Sequence, residues 1–256
     1  MPEVLLELES VTVNFGGLTA VQQLDMNIES GSIRALIGPN GAGKTTVFNV
    51  VTGIFRPSSG SIRFRGRDIT RLNPYDIAAA GIARTFQNIR LFKNASVLDN
   101  VKVGRHSRGK TNVLGALIRY PGFKAEERDM TGASLSALEL VGLARKKDEL
   151  AKNLSYGEQR RLEIARGLVS EPALLLLDEP AAGMNPQEKQ SLLHLIKRIQ
   201  EQGITIFLVE HDMKFVMALS QKITVLDYGR KICTGTPAEV RADPRVIEAY
   251  LGKEVG

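Results

Sequence analysis

Eight consecutive residues, Gly38-Pro39-Asn40-Gly41-Ala42-Gly43-Lys44-Thr45, spell G-x-x-x-x-G-K-T and constrain this chain more than any other feature. The pattern works only where a buried strand turns directly into a helix, and both flanks supply that context. Ser32 to Ile37 is a short apolar run suited to a buried strand, and Val47 to Val51 continues as a helix interior. The glycines let the backbone curl so that successive N–H groups face phosphate oxygens, and the helix start adds its positive end. In that cradle Lys44 reaches the β- and γ-phosphates, and the Thr45 hydroxyl is a magnesium ligand. Gly38, Asn40, Gly41, Ala42, Gly43, Lys44, Thr45 and Thr46 are the candidate phosphate-binding residues.

A second apolar run, Leu174 to Leu177, ends in Asp178-Glu179. Acids at the carboxyl end of a buried strand stand where α/β sheets bind ligands. Asp178 suits a magnesium shell, and Glu179 suits polarising the water that attacks a phosphate. His211 follows the next buried run, in Val209-Glu210-His211-Asp212. It fits donation to a γ-phosphate, and taken alone it fits a structural role as well. Ser155-Tyr156-Gly157-Glu158 fits an S-x-x-E capping box and puts Ser155 and the Gly157 N–H at a helix start, where an anion can sit. Gln87 stands where a strand-rich region passes into a helical one, and its amide oxygen is a possible third magnesium ligand beside Thr45 and Asp178.

The period-2 patterns of Val4 to Val13, Leu24 to Ile28 and Ser61 to Phe64 predict strands in the first third. Pro74 opens a short helix that Gly81 closes. Between Asn88 and Leu168 no β alternation is visible. Helical spacing is instead carried by Val97 to Val103, Arg128 to Val141 and Glu158 to Val169. After Pro172, strands (Leu174 to Leu177, Ile204 to Val209, Ile223 to Leu226, Lys231 to Thr234) alternate with helices (Pro186 to Gln200, Met213 to Leu219), which predicts a mostly parallel sheet. The expected organisation is a P-loop α/β core with an antiparallel β subdomain over 1–88 and 170–256, and an inserted helical subdomain over 89–169.

The charge balance of +6 is uneven: from Asn100 to Ala125 there are six basic residues (Lys102, Arg105, Arg108, Lys110, Arg119, Lys124) and no acid. That run suits a solvated face or a surface near lipid headgroups, and lacks the interleaved aromatics of a base-stacking platform, so no nucleic-acid partner is expected. One cysteine, Cys233, excludes an intrachain disulfide and suits a reducing compartment. The N-terminus lacks the basic start of a secretory signal. No run of about 18 apolar residues could form a membrane-spanning helix, so work at a membrane would go through partners.

The ordered set of Phe15, the Gly38 to Thr45 cradle, Gln87, Leu154 to Glu158, Leu174 to Glu179 and His211 resembles the ATPase subunit of ABC transporters along essentially the whole chain. Arg84 to Gln87, Arg90 to Phe92, Tyr156 to Arg166, Glu179 to Pro186, the basic insertion from Arg105 to Phe123 and the ending Val246 to Gly252 are similar to one branch, the ATPase component of bacterial branched-chain amino acid importers. The resemblance implies ATP and Mg2+ as ligands, with Phe15 stacking on adenine and Glu179 as catalytic base. It implies that His211 senses the γ-phosphate. It implies that Ser155, Tyr156, Gly157 and Glu158 bind ATP held by a second, facing ATPase subunit, either identical or different. Membrane permease subunits, an indirect link to a solute-binding protein, and a peripheral seat on the cytoplasmic face of the inner membrane follow from the same resemblance. Tyr156 and Asn185 depart from the wider family pattern, which has glycine and aspartate there. Lipopolysaccharide export, amide or urea uptake, and a nucleic-acid-associated ATPase are the competing functions. The transported solute never touches such a subunit.

Overall fold

The computed structural model describes residues 3–105 and 123–251, and two sheets organise them. Strands β1 (Val4–Phe15), β2 (Leu18–Glu29), β4 (Ser59–Phe64) and β5 (Arg67–Asp68) form an antiparallel sheet in the order β2-β1-β4-β5. Strands β3 (Ile33–Ile37), β6 (Ile82–Arg84), β7 (Leu174–Asp178), β8 (Thr205–Val209), β9 (Lys222–Asp227) and β10 (Arg230–Gly235) form the second, ordered β10-β9-β3-β8-β7-β6. Its neighbours run parallel except β10, which returns antiparallel to β9.

Strands β3, β7 and β8 are buried along their whole length, as runs without alternation require. Successive side chains nonetheless point to opposite faces. Leu36, Leu174, Leu176 and Phe207 pack into a core shared with the antiparallel sheet and helix α1 (Lys44–Val51), where the Phe48 and Phe207 rings lie 4.8 Å apart. Ala35, Ile37, Leu175, Leu177, Ile206 and Leu208 enter the core on the other face. Helices α3 (Val97–Arg105), α4 (Phe123–Leu140), α5 (Tyr156–Leu168), α6 (Pro186–Glu201) and α7 (Met213–Leu219) also contribute to that second core.

Helix α2 (Pro74–Ala80) starts on an Asn73 cap with proline in its first turn and ends at Gly81 with φ 109°, as its punctuation predicts. Among the described residues from 88 to 168 there are α3, α4, α5 and two 3-10 turns, with no strand beyond the isolated bridge Ser96–Leu150. Most of the basic run lies outside the described residues, as does the final Gly252 of the C-terminal segment.

The differences from the sequence expectations have local causes. Strand β2 begins at Leu18, because its exposed first residues are carried by pairing with β1 and not by an apolar pattern. Strand β6 is only three residues long, too short for any periodicity, and exists through its pairing with Leu174 to Leu176 of β7. Helices α8 (Pro237–Ala242) and α9 (Pro244–Leu251), each opened by a proline, follow the expected elements.

Candidate nucleotide site

Strand order decides where the site forms. The cradle leaves the carboxyl end of β3, the Glu210-His211 turn leaves β8 beside it, and Asp178-Glu179 ends β7 next in line. Gln87 follows β6 at the adjoining edge. Parallel pairing therefore gathers chain segments far apart in sequence at one edge of the sheet.

The cradle wraps the start of α1. Gly43 occupies the cap position at φ 100°, where an added Cβ would lie 2.4 Å from the Ala20 carbonyl oxygen. At Gly38 a Cβ would lie 2.1 Å from the Leu226 carbonyl oxygen. Among the described residues no side chain caps α1, and its first turn holds no acid, which suits the helix start to an anion. Lys44 folds back over its own loop, its Nζ donating to the Gly38 and Pro39 carbonyls at 2.7 and 2.8 Å. A cavity of about 470 Å³ opens over Gly41 to Thr46, with Phe15 and Tyr228 on its border. Phe15 is 44% exposed and stands edge-on to Phe55, at 5.2 Å between ring centroids.

The acid cluster joins three of the remaining sequence-predicted residues. Gln87 donates from Nε2 to Glu179 Oε2 at 2.9 Å, and His211 Nδ1 lies 3.7 Å from the same oxygen. Glu179 sits at φ 46°, an uncommon conformation for a residue with a side chain, and its N–H is held by the Val209 carbonyl at 2.9 Å. Asp178 is buried against Arg84, whose Nη2 donates to Oδ2 at 2.8 Å.

Beneath this cluster Glu210 is fully buried. Burial pushes its carboxyl above the usual range, and it accepts N–H bonds from Ala181 (2.7 Å), His211 (3.1 Å) and Asp212 (3.4 Å). One side chain thus fixes both the turn after Glu179 and the turn bearing His211.

Ser155 to Glu158 does not line the cradle cavity of its own chain. Ser155, Gly157 and Glu158 line a separate space of about 200 Å³, together with Arg161, Gln187 and Glu188. Ser155 caps α5, its hydroxyl accepting from Glu158 N at 3.4 Å while Glu158 Oε2 accepts from Ser155 N at 3.0 Å. Tyr156 is exposed but anchored: Arg160 Nη2 donates to its hydroxyl at 3.0 Å, and a Cβ at Gly183 would lie 3.3 Å from its ring. Arg160 also donates to the Phe86 carbonyl at 2.9 Å and to the Gln87 carbonyl, which ties α5 to the segment bearing Gln87. Asn185 does local work, capping α6 by accepting from Glu188 N at 2.9 Å.

Residues 21–182 match the family model for the ABC transporter, and residues 230–256 match that for the branched-chain amino acid ATP-binding cassette transporter. The chain is 44% identical over 254 residues to the high-affinity branched-chain amino acid transport ATP-binding protein BraF of Pseudomonas aeruginosa, covering 99% of this chain and 100% of that protein. The chain belongs to the ABC transporter family. It is 42% identical to the corresponding protein LivG of Escherichia coli K12, with the same coverage. A solved ATP-binding cassette of an ABC transporter in its ADP conformation aligns with TM-score 0.86 and 30% identity, covering 98% of this chain and 99% of that one. A nucleotide-free cassette aligns with TM-score 0.85 at 29% identity, covering 97% of this chain and 99% of that one. The α/β architecture expected from sequence is therefore that of an ABC ATPase, and among the described residues no helix is long and apolar enough to cross a membrane.

Arg84, Arg160, Glu188, Glu210 and Tyr228 of this ABC ATPase lie in or beside the site without a role visible in sequence. Glu210 carried a usable signal, an acid directly after an apolar strand, but only its burial reveals what it holds.

Proposed function

We propose that this chain is the ATP-hydrolysing subunit of an importer of branched-chain amino acids. The convergence of Gln87, Glu179 and His211 beside the phosphate cradle carries the ATPase reading. Full-length identity to BraF and LivG, and the match over residues 230–256, favour amino acid import over lipopolysaccharide export.

The residues supply a direct mechanism. Phosphates seat on the N–H groups of Gly41 to Thr46, with adenine on Phe15. Lys44 exchanges its two loop carbonyls for β- and γ-phosphate oxygens, so its charge is already in place before ATP arrives. Glu179 Oε2 takes the proton of the attacking water, oriented by Gln87, while His211 donates toward the γ-phosphate. Thr45, Gln87 and Asp178 offer oxygen donors that fit magnesium: Gln87 spends its amide nitrogen on Glu179, and Asp178 spends only Oδ2 on Arg84. Bound there, the metal would neutralise phosphate charge. The separate cavity at Ser155 to Glu158 supports a site completed by a second ATPase subunit, the helical segment 89–169 acting as the arm that carries it. Permease subunits would dock near Asn88 to Phe92 and hold the chain at the cytoplasmic face of the inner membrane.

Lys44→Ala tests this reading. ATP binding or hydrolysis should be lost with the melting temperature nearly unchanged, since the ammonium serves the cradle loop, where it donates to the Gly38 and Pro39 carbonyls. Turnover near the parent rate, with the permease subunits present, would overturn it. Co-purification with hydrophobic membrane subunits, as against recovery with RNA, tests the transport assignment.

A further inference from the structure

Arg84 closes β6 three residues before Gln87 and is buried almost completely, its side chain 8% exposed. Both terminal nitrogens of its guanidinium are held. Nη2 donates to Asp178 Oδ2 at 2.8 Å, while Nη1 donates to Asn49 Oδ1 at 2.7 Å and reaches Thr52 Oγ1 at 3.3 Å. The guanidinium carbon lies 5.5 Å from the Phe48 ring centroid and 5.4 Å from that of Phe86. Asn49 and Phe48 belong to α1, the helix that begins at Lys44, and Thr52 is its last cap. Phe86 adjoins Gln87.

A buried ion pair is a poor stabilising device, because taking both charges from water offsets the attraction between them. Replacing such a pair by apolar side chains of similar volume is often neutral or stabilising, and the Arg84 Nε is itself buried without a hydrogen-bond partner among the described residues. What the pair does supply is direction. Asp178 has two carboxylate oxygens, and the guanidinium occupies one of them.

We propose that Arg84 is a positioning residue that aims the Asp178 carboxylate at the magnesium shell. It holds Oδ2, leaves Oδ1 for the metal's water or the metal itself, and fixes that direction to α1 through Asn49 and Thr52. The acid that serves the metal and the helix that presents Lys44 and Thr45 then move as one body. Phe86, stacked on the same guanidinium, ties the Gln87 segment to this assembly. The proposal rests on Asp178 serving the metal, as read above.

The experiment compares ATP affinity in EDTA with ATP affinity in Mg2+ for the parent, Arg84→Met and Arg84→Lys, with thermal melting to monitor the fold. Loss of a residue that orients a metal ligand commonly costs about 10-fold to 100-fold in metal affinity. Arg84→Met should therefore lose about tenfold of the metal-dependent gain in ATP affinity, with metal-free affinity within about twofold of the parent. Arg84→Lys, a point charge without the fork that spans Asp178 and Asn49, should fall between. Mn2+ bound with ATP should show an altered electron paramagnetic resonance spectrum in Arg84→Met. Equal metal-dependent gains in all three proteins overturn the proposal, as does an equal loss in EDTA and in Mg2+, which marks a purely structural role. If Arg84→Met fails to fold, Arg84→Lys and Asn49→Ala, which removes an anchor without uncovering the carboxylate, decide by the same criterion. A parent whose ATP affinity ignores Mg2+ overturns the assignment of Asp178 itself, a result distinct from a metal-responsive parent with an equally responsive Arg84→Met.

Discussion

The Gln87 side-chain amide donates to Glu179 Oε2 at 2.9 Å, joining residues 92 positions apart in the chain. The segment that enters the helical region thus touches the proposed base directly. Any partner that shifts Gln87 changes the environment of Glu179 without a relay.

Glu179→Gln keeps an oxygen to accept from Gln87 but cannot take a proton. Hydrolysis should fall by about 10²–10⁴-fold, the usual contribution of a positioned base, while ATP affinity is retained. Single-turnover hydrolysis and equilibrium binding separate the two, and light scattering with ATP should show subunits locked in pairs. Parent-like turnover would remove Glu179 from the base's role.

Gly157→Ala places a Cβ 2.7 Å from Glu188 Oε1. Glu188 cannot yield freely, because its other oxygen accepts from Asn185 N at 3.0 Å. Two helix caps, Ser155–Glu158 and Asn185–Glu188, therefore meet across a gap that only glycine fits. Stability should drop by about 1 kcal/mol as one cap gives way, and ATP-driven pairing of subunits should weaken while ATP binding to the single chain persists. Urea melts and sedimentation with nucleotide provide the check.

Leu91 and Phe92 are neighbours in the chain with different surroundings. Leu91 is partly buried and packs on the large core, whereas Phe92 is 56% exposed. Phe92→Glu should therefore leave the melting temperature within a few degrees and weaken assembly with the permease subunits. Leu91→Glu should destabilise the chain itself, by about 1–3 kcal/mol for a charge forced against packed apolar groups. Normal assembly and transport by Phe92→Glu would move the docking face elsewhere.

Asp212 receives Lys189 Nζ at 2.5 Å and caps α7 by accepting from Phe215 N at 3.1 Å. The lysine, then the cap, hold its carboxyl below the usual aspartate range. The unfolded chain binds this proton more readily, so the contribution is present above about pH 4 and is lost as pH falls through the folded value. Asp212→Asn preserves the cap but not the ion pair. It should cost about 0.5 kcal/mol at pH 7 and progressively less as pH falls through the folded value, giving a flatter acid limb in denaturant melts.

The sequence by itself determined the features that depend on a few neighbouring residues. The glycine cradle, the apolar strand ending in Asp178-Glu179, the Ser155–Glu158 cap and the proline and glycine punctuation of α2 rest on local backbone geometry, so adjacent residue types suffice to read them. The helix over Met213–Leu219 was legible to the residue for the same reason. Tertiary structure alone decided what each of these features meets. Strand order β3-β8-β7-β6 set Gln87 against Glu179 and Arg84 against Asp178. Ala20 and Leu226, from distant strands, made Gly43 and Gly38 irreplaceable. The stacking of two sheets and a helix layer buried Glu210 and turned an ordinary acid into the anchor of two loops. These contacts depend on which strands pair and in what register, and chain pairing over such separations leaves no periodic trace in sequence.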